Sequence, residues 1–242
     1  MQVWFENLKA EFDLNFIQGS RWKFLLTGLG NTLQITGMAL AIGLIIGMII
    51  AAVRSTYDKT EANARPSLSR RIFGFFNGLC KVYLTVLRGT PVVVQLMIFA
   101  FVVFAAFRNK LLVAGLAFGL NSGAYVAEII RGGIMSIDAG QFEAGRSIGL
   151  NFTQTMRYII IPQAFKNVLP ALANEFIVLL KETSVAGYVS VIDLTKGGDI
   201  IRGRTYSAFM PLIAVALIYL VMVIFFTWLV GKLERRLRSS DH

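Results

Sequence analysis

The run Asn31-Thr-Leu-Gln-Ile-Thr-Gly-Met-Ala-Leu-Ala-Ile-Gly-Leu-Ile-Ile-Gly-Met-Ile-Ile-Ala-Ala-Val53 holds twenty-three residues and no charge. As a helix it reaches about 35 Å, more than the ~30 Å hydrocarbon core of a bilayer. Ala208 to Gly231 repeats the pattern over twenty-four residues. With 55% hydrophobic residues and a mean hydropathy of +0.63 over 242 positions, the chain is too apolar for a soluble domain of its size. The fold class that follows is an all-α polytopic membrane protein. Within the first run, Gly43 and Gly47 are four residues apart and permit a neighbouring helix to come close.

Before this run, Trp4, Leu8, Phe12 and Phe16 recur every fourth residue, with Glu6, Lys9, Glu11 and Asp13 elsewhere on the turn. Residues 1–30 are therefore expected to be an external amphipathic segment lying in the membrane interface. A cleaved signal peptide is not expected, because about thirty mixed-charge residues precede a run long enough to span. After the run, Arg54 to Arg71 is expected to be a polar cytoplasmic loop, with Arg54, Lys59, Arg65, Arg70 and Arg71 outnumbering Asp58 and Glu61. That loop, the stretch 138–166 and the tail after Gly231 carry twelve basic residues against eight on the opposite side. Topology accounts for the net charge of +10 more simply than nucleic-acid binding does.

Two cytoplasmic segments must be separated by an even number of crossings. Yet three apolar pieces lie between Arg71 and Asp138: Ile72 to Leu87, Gly89 to Phe107, and Leu111 onward to Met135. The first two are accordingly read as one crossing, broken at Arg88-Gly89-Thr90-Pro91. Spans at Asn167 to Val189 and Ala208 to Gly231 bring the expected total to five transmembrane helices, the second broken. The N-terminus is then outside and the C-terminus inside, with residues 237–242 a cytoplasmic tail. Gly197, Gly198, Asp199, Arg202 and Arg204 fall in the last external loop. Cys80 is alone and is read as a small apolar filler. No His/Cys cluster suggests a metal, and no G-x-x-x-x-G-K-[ST] is present to cradle ATP phosphates.

The break is the first place where chemistry is expected. Thr90 suits an N-cap and Pro91 a first helical residue, so a helix begins inside the membrane with its free N–H groups exposed. Such half-helix starts face anionic groups in broken membrane helices. Arg88 adds a full positive charge there, and Gln95 lies just over one turn further on. A packing kink with Arg88 snorkelling is the plainer alternative. Downstream, Asn121, Tyr125 and Glu128 share one helix face, with Ser122 beside them. A carboxylate within a span costs at least ~2.5 kcal/mol on insertion scales, so Glu128 should meet a partner or a pathway. A structural ion pair with Arg131, three residues on, is the alternative. Glu175 and Lys181-Glu182-Thr183-Ser184 make a third polar cluster.

The stretch Asp138 to Lys166 mixes charge, glycine and a closing proline between very apolar segments. Asp138 and Gln141 read as a capping-box start, Gly149 as the stop of a first short helix, and Asn151 or Thr153 as the cap of a second. Pro162 should end or kink that second helix. Two short helices with a fixed bend make a knob.

Glu143-Ala144, Gly149, Ile159 and Pro162 match the E-A-A-x-x-x-G-x9-I-x-L-P loop of ABC-importer permeases, with Gly145 in place of the third Ala and Ile161 in place of the Leu. The resemblance runs from about Thr27 to Arg236 and is closest to the polar amino acid (histidine/glutamine/arginine-type) branch. Leu87-Arg-Gly-Thr-Pro91, Tyr125-Val-Ala-Glu-Ile-Ile-Arg-Gly-Gly133 and Lys181-Glu-Thr-Ser184 carry it. It implies a type I ABC importer-like permease domain over residues 31–236, with cytoplasmic coupling helices at 138–166 that receive the ATPase. It also implies a bacterial inner-membrane location and a second permease subunit, either a copy or a paralogue. A cytoplasmic ATPase dimer binding ATP and Mg and an external solute-binding protein complete the implied assembly, so this chain needs no cofactor and is not itself an enzyme. The expected function is uptake of polar L-amino acids by alternating access, with the backbone of the amino acid read by Arg88, Thr90, Gln95, Ser122, Tyr125 and Glu128. An ion-coupled symporter also uses broken helices but has no use for the knob. A membrane enzyme would need a nucleophile–base or metal constellation.

Overall fold

The computed structural model describes residues 2–60 and 67–238. The described residues form helices, turns and short connections, with no strand among them. Helix α1 (Gln2–Phe12) and a π-helical turn (Asp13–Ile17) lead into α2 (Trp22–Thr60). Helices α3 (Leu68–Gly89) and α4 (Val92–Ile98) flank the break, and a π-helical turn (Phe99–Val103) extends α4. Then come α5 (Lys110–Met135), α6 (Ala139–Ser147), α7 (Phe152–Thr155), α8 (Ile161–Glu182), α9 (Leu194–Thr205) and α10 (Phe209–Arg238).

Three of these helices, α2, α5 and α10, are each long and apolar enough to cross a membrane, and α3 with α4 and its extension qualifies together as a bent pair. Helix α8, expected as the remaining span, contains Gln163, Lys166, Asn167, Asn174 and Glu175 and does not pass on composition. The expected loop after Val53 is corrected: α2 continues through Arg54, Asp58 and Lys59 to Thr60. Nothing there breaks a helix, and at 39 residues α2 is about 58 Å long, so it outruns the bilayer. Ser67, whose hydroxyl accepts from the Arg70 N–H at 3.2 Å, starts α3. Glu61 and Arg65 of the expected loop, and positions 239–242 of the expected tail, lie outside the described residues.

The chain divides into two compact units. One takes in Met1–Ala39, Val92–Phe118 and Ile177–Trp228. Phe16, Leu25, Leu194, Ile201 and Val215 form one buried cluster in it. Phe16 thus belongs to the interior and departs from the expected interfacial stripe, while Leu8 and Phe12 remain exposed as expected. Asn15, fully buried, donates to Ser207 and accepts from Thr205, which ties the N-terminal segment to the end of α9. The glycines of the expected external loop form α9 instead. Asp193 caps it, accepting from the Lys196 N–H at 2.7 Å and, through its other oxygen, from Gly187 at 2.6 Å. Burial pushes the Asp193 carboxyl up, and these backbone donors pull it back. A methyl at Gly28 on α2 would lie 2.4 Å from the Asp193 carbonyl oxygen, so the two backbones meet where only glycine fits.

The second unit takes in Leu40–Pro91, Gly119–Phe176 and Leu229–His242. Ile50, Leu84, Ala124 and Ala127 form one core, against which Cys80 packs as the apolar filler it resembles. The Gly43/Gly47 pair does what its spacing suggests. A methyl at Gly47 would lie 2.4 Å from Val126 of α5, and one at Gly43 3.1 Å from Ser122. The Tyr83 hydroxyl donates to the Leu120 carbonyl, and the Asn121 amide donates to the Leu87 carbonyl at 3.1 Å, so α3 and α5 are joined beside the break.

Candidate functional site

Helix α3 ends as the spacing predicts. Thr90 leaves the helical region (φ −122°, ψ 148°), as the residue before a proline tends to do. Its hydroxyl donates to the Val86 carbonyl at 2.8 Å, so it serves the end of α3, a role the N-cap expectation did not include. Arg88 projects from this last turn. Its Nη1 lies 3.7 Å from Glu128 Oε2, and its guanidinium sits 5.5 Å from the Tyr125 ring centroid. Three of the expected site residues, two helices apart in sequence, are therefore brought together. Gln95 is buried on α4 and belongs to the other unit. Ser122 donates to Glu175 of α8 at 3.2 Å with both residues buried, which gives Glu175 a place beside α5.

Glu128 has a closer partner than Arg88. Arg131 grips it with two donors, Nε at 3.2 Å and Nη2 at 3.1 Å, the ion pair named as the plain alternative. Arg131 also reaches Asp58 on α2 at 3.3 Å. Asp58 lies 3.8 Å from Arg54, which donates to Asn77 on α3 at 3.0 Å. Asp58, Arg54 and Asn77 were not among the sequence candidates. The only signal was the four-residue spacing of Arg54 and Asp58, which on a continuous helix makes them neighbours. The cluster holds three guanidinium groups and two carboxylates, one positive charge in excess. The most exposed of its members is Arg88, with 44% of its side chain accessible. A carboxylate arriving there meets a charge that is not fully neutralised.

The knob is built as a rigid bend. Asp138 caps α6 by accepting from the Gly140 N–H at 2.6 Å; Gln141 does not close the expected box and accepts instead from Gln163 at 3.3 Å. Gly149 takes φ +86°, Leu150 N–H reaches the Gly145 carbonyl, and Gly149 N–H reaches that of Arg146. Those paired bonds are the Schellman stop for α6. Asn151 and Gln154 form a full reciprocal capping box at 2.9 Å each. Pro162 does not end the helix. A π-helical turn (Met156–Ile160) precedes it and carries the chain directly into α8. Ile160 and Ala164 pack with Ile134 near the end of α5 and with Ile137 just beyond it, and Ile159 lies against them. Glu143 and Ala144 are exposed on α6, Pro162 is exposed at the start of α8, and Ile148 and Tyr158 present apolar surface nearby.

Gly145 is buried under α7, and a methyl there would sit 2.7 Å from Thr155 Cγ2 and 3.1 Å from Ile159 Cδ1. The departure from the loop pattern thus has a cause in this chain. Gly145→Ala, although it restores the pattern, is expected to cost about 1–3 kcal/mol by overpacking. Adding Thr155→Ser, which removes the obstructing methyl, should recover most of the loss. Thermal unfolding of the purified assembly measures both.

A cavity of about 530 Å³ occurs in the first unit, lined by Ser184, Tyr188, Lys196, Asp199, Arg202 and Leu212. Lys196 at 2.9 Å and Arg202 at 2.5 Å hold the Asp199 carboxyl below the usual range, so its acid is already spent on local cations.

The family model described as binding-protein-dependent transport system inner membrane component matches residues 43–239. The arginine transport system permease protein ArtQ of Bacillus subtilis (strain 168) is 37% identical over 222 residues, covering 90% of this chain and 94% of that one. The glutamine transport system permease protein GlnP of Escherichia coli (strain K12) is 34% identical over 220 residues, covering 88% and 93%. A solved structure of an amino acid ABC transporter with histidines superposes with a TM-score of 0.78 at 39% identity, covering 91% of this chain and 98% of that chain. The inward-facing MetNI methionine ABC transporter shares the fold, with a TM-score of 0.72 at 17% identity over 88% of this chain.

Proposed function

The chain belongs to the family of binding-protein-dependent transport system inner membrane components and is a permease subunit of an amino acid ABC importer, and we propose that it takes up polar L-amino acids by binding their backbone at Arg88, Tyr125 and Glu128. The convergence of a cation, an aromatic face and a carboxylate at a break between two helices is the observation that carries this. Arg88 takes the α-carboxylate, aided by the surplus positive charge of the cluster. Glu128 takes the ammonium, and Tyr125 closes the pocket by its ring. The Thr90 and Ser122 hydroxyls donate instead to the Val86 carbonyl and to Glu175.

The knob receives the cytoplasmic ATPase dimer. Glu143 and Ala144 lie open on α6, and the capped bend holds α6 and α7 at a fixed angle, so force from a closing ATPase reaches α5 and α8 without being lost in a soft loop. ATP and Mg are bound by that partner. A second permease copy or paralogue and an external solute-binding protein complete the assembly, in the bacterial inner membrane with the N-terminus outside and the C-terminus inside.

Uptake into proteoliposomes tests this. It should require the ATPase subunit and ATP and persist when ion gradients are collapsed. Cysteines placed at Asp199 and Arg235 should label from outside and inside respectively. Uptake that follows an ion gradient and ignores ATP would identify a symporter and overturn the assignment.

A further inference from the structure

Glu128 is held before any ammonium could reach it, and what holds it has somewhere else to go. Both Glu128 oxygens accept from Arg131, while the third arm of the same guanidinium, Nη1, lies 3.3 Å from Asp58 on α2. One planar fork thus bridges two carboxylates on two helices. Asp58 has Arg54 beside it at 3.8 Å, and Arg54 is anchored on Asn77 at 3.0 Å, so Asp58 stays in place whichever way Arg131 leans. Resting on the assignment of Glu128 to the substrate ammonium, we propose that Arg131 is a positioning residue that exchanges partners on substrate binding, giving up Glu128 and closing onto Asp58.

The exchange redistributes partners and leaves the net charge as it was. With three guanidinium groups and two carboxylates, the cluster lacks one negative charge. A zwitterion leaves that positive excess unchanged, but its carboxylate pairs with Arg88 and its ammonium takes over Glu128. Arg131 is then left with Asp58, and every charge keeps an opposite neighbour. The exchange is placed to be felt at the knob. Arg131 stands one turn before Ile134 on α5, and Ile134 and Ile137 are buried against Ile160 and Ala164 at the root of α8. A shift of Arg131 toward α2 therefore acts on the segment of α5 from which the knob is hung.

Uptake kinetics of the complete reconstituted assembly, with its ATPase and solute-binding protein, test the exchange through the sign of two effects. Asp58→Asn removes the alternative partner and leaves Arg131 on Glu128, so the binding-competent fraction falls and KM rises about tenfold. Arg131→Gln removes the competitor, so KM falls by about threefold. The double variant should behave as Arg131→Gln, and Asp58→Glu should restore the original KM. KM shifts of the same sign in the two single variants, or loss of Vmax alone, would show a merely structural network and overturn the exchange. If Arg131→Gln fails to assemble, Arg131→Lys and Asp58→Asn decide, and an unchanged KM in both overturns it. If Glu128→Gln binds substrate normally, the assignment of Glu128 fails and takes this inference with it. If Glu128→Gln loses substrate while the two KM shifts share a sign, only the exchange at Arg131 fails.

Discussion

Arg88→Ala and Glu128→Gln should each reduce amino acid uptake by at least a hundredfold while leaving the assembly in the membrane. The asymmetry follows from where the two charges sit. Their mutual contact is long, 3.7 Å, and the side chains are 44% and 24% accessible, so water screens it. An ion pair of that kind contributes no more than about 1 kcal/mol to folding. Arg88→Ala should therefore not unfold the protein, and in Glu128→Gln the amide oxygen still accepts from Arg131 while Asp58 keeps that guanidinium paired. A bound amino acid changes the setting, because it displaces water and makes hydrogen bonds to charged groups worth about 1.5–3 kcal/mol each. Removing Arg88 forfeits two such bonds to the carboxylate, or roughly 3–6 kcal/mol, which is a factor of about 10² to 10⁴. Glu128→Gln also leaves Arg131 and Arg88 without their shared acid, so the excess positive charge that an incoming ammonium meets rises from one to two. Substrate affinity measured directly on the detergent-purified variants checks the assignment. Unchanged affinity in both would place the site elsewhere.

Gly149→Leu should uncouple ATP hydrolysis from uptake. Gly149 sits at φ +86° with open space where a side chain would go, so no neighbour has to move to admit one. The cost lies in the backbone, about 1–2 kcal/mol for an L-residue held in the left-handed region. Leucine relaxes by leaving that region, and the bonds from Leu150 to Gly145 and from Gly149 to Arg146 go with it. The bend between α6 and α7 then loses its fixed angle, while the core under Ile160 keeps the protein folded. Uptake should fall about tenfold, in line with a penalty near 1.4 kcal/mol, with hydrolysis continuing. Gly149→Asn separates conformation from bulk, because asparagine enters the left-handed region readily. It should retain most of the uptake. Normal uptake by Gly149→Leu would remove the bend from the mechanism.

Much of this architecture is legible along the chain because its signals are local. The apolar runs, the helix stop at Thr90–Pro91, the cap at Asn151 and the turn at Gly149 each depend on residues within a few positions of one another. Three features were not legible, each for a physical reason. Arg54, Asp58 and Lys59 mark where α2 leaves the lipid, but charge reports depth and says nothing of whether a helix stops. Gly197 and Gly198 look like loop residues, yet both are buried in α9, and a methyl at Gly197 would lie 2.5 Å from the Phe24 carbonyl oxygen. The same residue type serves turns and close approach, and composition cannot separate the two. The contact between Arg131 and Asp58 joins positions 73 apart, and no periodicity reports a pairing at that distance. In the site itself, the face carrying Tyr125 and Glu128 was readable from helix spacing, whereas the competition for Glu128 needed three dimensions.

The glycine contacts have a consequence for how this chain tolerates change. In lipid, helices gain little by hiding apolar surface from one another, so shape complementarity has to hold them. At Gly28 the nearest atom to a new methyl is 2.4 Å away and belongs to backbone, and at Gly47 it is a branched side chain at the same distance. Neither neighbour can swing aside. Under random mutagenesis these positions would register as lost protein in the membrane, whatever residue replaced them. The charged cluster around Arg131 would register as protein present but idle. Abundance and transport, scored separately, would thus draw two maps on one chain, one tracing how it is built and the other how it works.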